Sequence, residues 1–518
     1  MGEQLRAALE LAPEYLGWHV ALSASALVLG LAISLPLAVA ASRSAIVRAP
    51  ALALASLAQT IPSLALLALF YPLLLAVSAL SKATIGVGFQ ALGFLPSLLA
   101  LTIYSMLPIL RTGVAGLAGV DPAAVEAAKG VGMSDRQRLF QVELPLAAPV
   151  IMAGVRTSAV WTIGAATLST PVGQTSLGNY IFTGLQTENW VFVLTGCALS
   201  AGLALSADAL LGLVESGAAK RRPRRIWIGL IGLLLGTMAA LAPLVVFGGG
   251  RPDYVVGAKN FSEQFILAEL MADRLEHDGA KVGRREDMGS DVAYRALAAG
   301  EIDVYVDYSG TLWANLLGRK DNPGREAVLT GLTTELLKRD GVVVLGPLGF
   351  ENAYALTMRK DRADALGIHD IEGLNRHAGE LTMGGDLEIF ARPEWKALTG
   401  AYGLNFKTKK QYQPTFMYRA LSGGEADVIS AFSSDGRIAA DKLVILGDPK
   451  HALPPYDAVI LISPKRAHDA RLLAALRPLV GAIPVEAMQQ ANYQVDRDGP
   501  QKQSPAQAAK GLAKRIGK

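Results

Sequence analysis

Cysteine is almost absent from this 518-residue chain. Cys197 stands alone inside an apolar run, which excludes an intrachain disulfide and any zinc site built from several thiolates. Six scattered histidines (His19, His277, His369, His377, His451 and His468) show no metal-ligand spacing and read as surface or packing residues. No G-x-x-x-x-G-K-S/T phosphate loop occurs, so an ATP-driven process would need a second polypeptide to hold the nucleotide. No Ser-His-Asp order or dinucleotide fingerprint stands out. Charge is scarce in one half only: residues 1–250 hold 14 Lys/Arg and 10 Asp/Glu, whereas the remaining 268 residues hold 35 and 35. A nucleic-acid partner calls for a clustered basic face. The one basic cluster, Lys220 to Arg225, adjoins an apolar run and reads as a topology anchor, so no nucleic-acid partner is expected.

The charge-poor half is membrane-like. A spanning helix needs roughly 20 mainly apolar residues. Six tracts qualify: Trp18 to Ala41, an uncharged tract between Arg48 and Lys82, Ala83 to Leu110, Val150 to Thr170, Trp190 to Val214, and Ile226 to Phe247. Arg156 and Asp208 fall within the fourth and fifth, toward cytoplasmic ends where they can snorkel to the interface. Orientation follows Lys and Arg. Arg43 and Arg48, Lys129 with Arg136 and Arg138, and Lys220 to Arg225 all become cytoplasmic on an N-outside path, which leaves Arg251 onward outside. Ala38-Val39-Ala40 resembles a signal-peptidase site, but Glu3, Glu10 and Glu14 replace a basic leader, so the first tract reads as an uncleaved span. Gly248-Gly249-Gly250-Arg251-Pro252 reads as a short tether.

Between the third and fourth tracts lies a polar insert, EAAKGVGMSDRQRLFQVELP, beginning at Glu126. Asp121-Pro122 is an N-cap followed by Pro at the first helical position. Gly130 and Gly132 end that helix, Ser134 with Gln137 fits a capping box for a second, and Pro145 marks the second helix's end. The spacing of Glu126-Ala127-Ala128, Gly132, Val142 and Leu144-Pro145 resembles the EAA loop of ABC-importer permeases. That resemblance implies a cytoplasmic knob, residues 121–146, that docks on a separate ATPase. ATP would be bound by that partner, with no cofactor in this chain. Since importers of this kind use two such loops, it also implies a second copy of the chain, a homodimer embedded in lipid.

From Asp253 strands and helices alternate. Strands are expected at Tyr254 to Ala258, Ile302 to Val306, Val342 to Leu345, Ala353 to Met358, Leu381 to Gly384, Asp427 to Ser430, Leu443 to Leu446 and Ala458 to Ile462. Helices are expected at Ser262 to Asp278, with Ser262 as N-cap, and at Asp291 to Ala299. Such alternation implies α/β architecture with ligands at the carboxyl ends of strands. Polar and aromatic clusters stand at those ends: Lys259 to Gln264, Asp307 to Thr311, Gly349 to Tyr354 and Phe432 to Arg437.

With Gly289-Ser290 and Arg392, these clusters resemble the glycine betaine/choline/carnitine class of substrate-binding proteins, whose two lobes close on a ligand; ergothioneine importers belong to the same family. The implied architecture is an all-α membrane domain of about six spans in all, divided into a permease segment (1–220) and a basic anchor with the sixth span and linker (221–252), followed by a two-lobed α/β periplasmic-binding-protein domain of type II (253–518). A quaternary ammonium cannot donate hydrogen bonds, so π faces and carboxylates must hold it. By resemblance, Tyr308, Tyr354, Phe432 and Tyr456 form cage walls, and Lys259, Thr311 and Arg392 meet a ligand carboxylate. Gln264 adds a polar contact, and Asn352 stands where some relatives carry Asp. Asp435 could instead cap a helix through Arg437, and Lys259 could pair with an acid. The expected function is the permease and binding subunit of an importer for a quaternary ammonium compound, with no enzyme activity of its own, in the inner or plasma membrane. A ligand-gated receptor or channel, with Ser169 to Glu188 as pore loop, and an enzyme on a binding-protein fold are the rival classes.

Overall fold

A computed structural model describes residues 2–187, 189–246, 252–319, 321–386, 389–497 and 501–517. Backbone contacts divide the chain into a helical unit, mostly within 2–246, and an α/β unit, mostly within 252–517. Most of the glycine tether lies outside the described residues, as do Phe247 of the sixth tract and Glu188 of the pore-loop segment.

Among the described residues of the helical unit, six helices are long and apolar enough to cross a membrane. They are Gln4–Arg43, Ser63–Ile85, Phe94–Ala118, Asp135–Val172, Trp190–Ala219 and Pro223–Val245. The first helix begins at Gln4 rather than Trp18, and three further boundaries differ from expectation for local reasons. The tract between Arg48 and Lys82 is two helices, Ala45–Thr60 and Ser63–Ile85. Pro62 forces Ile61 out of the helical region, to φ −76° and ψ 126°. The next helix starts at Phe94 rather than Ala83, because Gly86 closes the previous one in a left-handed cap (φ +74°). Pro145 does not end the insert's second helix. The chain passes from Asp135–Arg138 through a π-helical turn, Leu139–Glu143, into Leu144–Ala166. Proline lacks the N–H of a regular ladder, and the widened turn, with Leu144 N donating to Leu139 O, absorbs the mismatch.

Arg156 and Asp208 do not snorkel separately. The guanidinium is bidentate on Asp208 (3.0 and 2.8 Å) and also reaches Glu215 at 2.7 Å, tying Leu144–Ala166 to Trp190–Ala219. Charges are costly inside a bilayer and persist there by pairing. His19 is a packing residue, buried with its ring 3.0 Å from Ile163 O.

Among its described residues the α/β unit holds ten strands: β1 (Tyr254–Lys259), β2 (Val282–Met288), β3 (Val304–Tyr308), β4 (Val343–Glu351), β5 (Tyr354–Arg359), β6 (Thr382–Gly385), β7 (Thr408–Gln411), β8 (Val428–Phe432), β9 (Leu443–Ile445) and β10 (Asp457–Ile462). They form two five-stranded sheets, β2-β1-β3-β10-β4 and β7-β6-β8-β5-β9. In the first, β1 runs parallel to β2 and β3 while β10 is antiparallel to β3 and β4. The chain leaves the first sheet through Asn352-Ala353 and returns to it ahead of β10, so two connections join the lobes. β2 and β7 were not anticipated. β7 is an exposed edge strand, TKKQ, and β2 carries Arg-Arg-Glu-Asp, so neither shows an apolar pattern. β10 reads clearly because all six of its residues are buried, each large aliphatic contributing about 1.5–3 kcal/mol.

Helix Ser262–His277 follows β1 and is covered by Val485–Asp496 and Pro505–Arg515. Ser262 is not its N-cap. Phe261 occupies that position without a side-chain cap, and the Ser262 hydroxyl donates to Asp496 at 2.5 Å. Being covered on several sides, this helix buries Ser262, Glu263 and Gln264 along with its apolar residues.

Candidate functional site: an aromatic pocket and a polar knob

Between the lobes of the α/β unit lies a cavity of about 190 Å³. β1, β3 and β8 each end at it, bringing in Lys259, Tyr308 and Phe432, as expected for strand carboxyl ends. Tyr354 enters from the opposite sense, at the start of antiparallel β5, and Asn352 and Tyr456 come from the two connections. Eight of the nine residues singled out from the sequence line this cavity: Lys259, Tyr308, Thr311, Asn352, Tyr354, Arg392, Phe432 and Tyr456. Gln264 is not among the lining residues. Its amide donates to the Tyr308 hydroxyl (3.1 Å) and accepts from Lys259 N (3.3 Å).

The aromatic rings are mutually packed. Tyr354 lies 4.8 Å from Phe432 and meets Tyr456 edge-on at 5.9 Å. Phe261, which the sequence reading did not select, extends the array: it stacks on Phe432 (6.4 Å, 6°) and on Tyr308 (6.1 Å, 28°). It sits in a quoted cluster, but as the residue before a helix it carried no separate signal. Tyr456 needs Gly310 opposite it, since a Cβ there would fall 2.7 Å from the ring. The Ser309 hydroxyl fixes the same connection, accepting from Asp457 N (2.8 Å) and donating to Pro455 O (2.9 Å).

The cations expected to meet a carboxylate already have partners. Lys259 Nζ is 2.6 Å from buried Asp307 and lies over the Tyr308 ring at 4.7 Å. Arg392 lies over Tyr354 (5.4 Å) with Nη1 3.7 Å from Glu394, and Glu394 also accepts from the Tyr456 hydroxyl. Asp435 caps and pairs with Arg437, through Arg437 N at 2.9 Å and the guanidinium at 2.8 Å.

The carboxylate at the heart of the pocket is Glu263, which the sequence did not disclose. An acid in a helix's first turn ordinarily needs no explanation beyond the helix dipole. Here it is buried and accepts from Tyr308 Oη (2.6 Å), Asn352 Nδ2 (3.0 Å) and Asn492 Nδ2 (2.8 Å). Burial pushes its pKa above the usual carboxylate range, while donors led by Ser434 and Tyr308 act against that rise. The lining includes four carboxyl groups (Glu263, Asp386, Asp435 and Asp496) and three cationic side chains (Lys259, Arg392 and Arg437), and burial pushes the Asp496 carboxyl up to about 6.

In the helical unit, the insert folds as a knob. Asp121 Oδ1 accepts from Ala123 N (2.9 Å), opening Pro122–Gly130. Gly132 turns the chain at φ +81°, and Ser134 and Gln137 complete a capping box. Glu126 and Ala127 are exposed, Ala128 is buried, and Leu144 and Pro145 open the following span. Arg138 bonds Glu143 (2.7 Å), which also meets Arg43 at 3.4 Å, bracing the knob against the first span. Val131 (74% exposed) and Phe140 (59% exposed) present apolar surface from it.

A bundle of spanning helices with a projecting knob, joined to a two-lobed domain closing on an aromatic pocket, defines a transport subunit with its own receptor. Comparison with known proteins narrows this. Residues 30–220 match the binding-protein-dependent transport system inner membrane component family, and residues 252–514 match the substrate binding domain of ABC-type glycine betaine transport systems. An ergothioneine transport permease/ergothioneine binding protein of Helicobacter pylori (strain G27) is 30% identical over 476 residues, 88% of this chain and 82% of that protein. The permease half is 38% identical to a choline transport system permease protein of Bacillus subtilis (strain 168), over 38% of this chain and 83% of that one. A solved glycine betaine/carnitine/choline ABC transporter structure aligns with 51% of this chain and 98% of its own, at 28% identity and a TM-score of 0.45. The chain belongs to the family of fused permease and substrate-binding subunits of ABC-type importers.

Proposed function

We propose that the pocket binds a quaternary ammonium zwitterion, a betaine, and that two copies of the chain form the conducting unit within the lipid. The importer architecture itself follows from family membership: the chain sits in the membrane, its binding domain faces outward, and a separate ATPase drives it. What supports a methylated cation is the array of Phe261, Tyr308, Phe432, Tyr354 and Tyr456 beside buried Glu263. A cation on such ring faces gains roughly 0.5–2 kcal/mol per contact, more when dry. Phe261 and Phe432 are too close to admit a cation between them, and Lys259 already lies over Tyr308, so the ligand's cation takes the place over Tyr354 that Arg392 leaves, beside Tyr456. Arg392 swings from Glu394 to meet the ligand carboxylate, where its planar fork can bind two oxygens.

Transport couples through the insert. Glu126, Ala127, Ala128, Gly132, Leu144 and Pro145 form a knob continuous with a spanning helix, so a push on it moves that helix. One loop per chain implies a pair of chains. Uptake of radiolabelled betaines into vesicles with and without the partner ATPase tests this reading; accumulation that needs no ATPase would refute it.

A further inference from the structure

We propose that Arg156 is a positioning residue for transport: it makes the helix Trp190–Ala219 follow Leu144–Ala166, so that a push on the knob reaches the outer end of the bundle. The inference rests on coupling through the insert and deepens it. Leu144–Ala166 continues from the knob through the π-helical turn, and Arg156 lies about 18 Å along it from Leu144. The helix it must move is loosely held. Of the 30 residues in Trp190–Ala219, Gly196, Leu211, Val214 and Gly217 are the buried ones. Val214 and Gly217 face the next helix, against Gly229 and Ile226. Leu211 shares an apolar cluster with Ile151 and Val155 of Leu144–Ala166. Gly196 meets the helix Gly178–Gln186 and the residue before it, since a Cβ there would fall 2.7 Å from Tyr180 Cβ and 3.1 Å from Leu177 O.

Apolar contact gives little drive between helices in lipid, because the tails are as apolar as leucine. A polar tie holds better, and Arg156 supplies one with three donors. Nε and Nη2 reach Asp208 at 3.0 and 2.8 Å, and Nη1 reaches Glu215 at 2.7 Å. Asp208, Gly212 and Glu215 share one stripe of their helix. A Cβ on Gly212 would touch Arg156 Cζ at 3.4 Å, so the guanidinium lies across that stripe. Charge-assisted bonds of this kind are about twice as strong as neutral ones, and they oblige the two helices to move together. The contact at Gly196, about 18 Å from Asp208 toward the outer end, then passes the displacement to Gly178–Gln186.

The test uses the full chain with its partner ATPase in proteoliposomes, beside a triple variant, Arg156→Met with Asp208→Asn and Glu215→Gln, which removes the clasp without leaving an unpaired charge. Two quantities are read. One is ATP hydrolysed per radiolabelled betaine taken up, with glycine betaine and ergothioneine run in parallel. The other is the mobility of a spin label on Cys197, the chain's single cysteine, which is exposed on Trp190–Ala219. The triple variant should spend at least fivefold more ATP per betaine, a ratio that partial loss of folded protein does not alter. Trapping with ADP and vanadate should change the label's mobility in the parent and leave it unchanged in the variant. A parent-like ratio, a label that responds alike in both, or a parent label that ignores trapping overturns the clasp's role. Hydrolysis and uptake lost in proportion mark a purely structural tie and overturn it too. Uptake of neither betaine by the parent refutes the cargo reading instead, and parent-like uptake by Gly132→Val refutes coupling through the insert.

Discussion

Replacing Glu263 with Gln changes one atom of the pocket and should disturb it in two separable ways. The carboxylate accepts from Tyr308 and Asn352 at one oxygen and from Asn492 at the other. Glutamine keeps one acceptor oxygen, so its new amide would face Asn492 Nδ2, donor against donor. Turning Asn492 over relieves that clash but breaks its 2.9 Å bond to Ser434 O. One buried hydrogen bond is lost either way, lowering stability by about 1–3 kcal/mol. The second effect is electrostatic. For a cation about 6 Å from the carboxylate at an effective dielectric of 20, the attraction is roughly 3 kcal/mol, an upper bound that corresponds to about a 10- to 100-fold loss of affinity. The two effects separate by pH. Burial raises the Glu263 pKa, and a bound cation favours the ionised form, so affinity in the parent should rise with pH through that titration. The Gln variant has no proton to lose at that position and should show a shallower profile, keeping only the contribution of Asp496, whose carboxyl burial pushes up to about 6. Calorimetric titration with a methylated cation from pH 5 to 8, beside thermal unfolding, reads both. Equal affinity with an unchanged pH slope would refute the role given to Glu263.

Other expectations are simpler. Tyr354→Ala removes the ring packed on Phe432 and Tyr456 and should weaken binding of methylated cations about 3- to 30-fold by titration; unchanged affinity would mean the cation rests elsewhere. Gly132→Val places a β-branched residue at φ +81°, so uptake in vesicles should fall sharply while ligand affinity stays at the parent value. Arg156→Met leaves Asp208 and Glu215 without their shared partner and should destabilise the helical unit by about 1.5–3 kcal/mol, the range for hydrogen bonds to charged groups. Adding Asp208→Asn and Glu215→Gln should recover much of that loss in thermal melts, and a triple variant no more stable than the single would disprove the pairing argument.

Much of this protein was legible before folding, because the physics concerned is local. The apolar tracts, the N-cap at Asp121 and the capping box at Ser134 depend on residues close in sequence, and all appear in the structure as helices and caps. Strand ends with aromatic clusters were visible in the same way. What sequence alone misjudged depended on neighbours in space. Pro145 reads as a stop until a π-turn accommodates it, and Arg156 reads as solitary until Asp208 and Glu215 arrive from another helix. Glu263 and Gln264 reverse roles: the residue read as a ligand contact holds Tyr308, and the acid that drew no notice organises Tyr308, Asn352 and Asn492. Composition and periodicity determined that this chain carries membrane-spanning helices followed by an α/β domain, and the resemblance of its strand-end clusters to a known family implied two lobes. Only the tertiary structure decided how its polar side chains are shared out in the pocket, because that depends on which donors and acceptors meet, and they come from residues as far apart as 263 and 492.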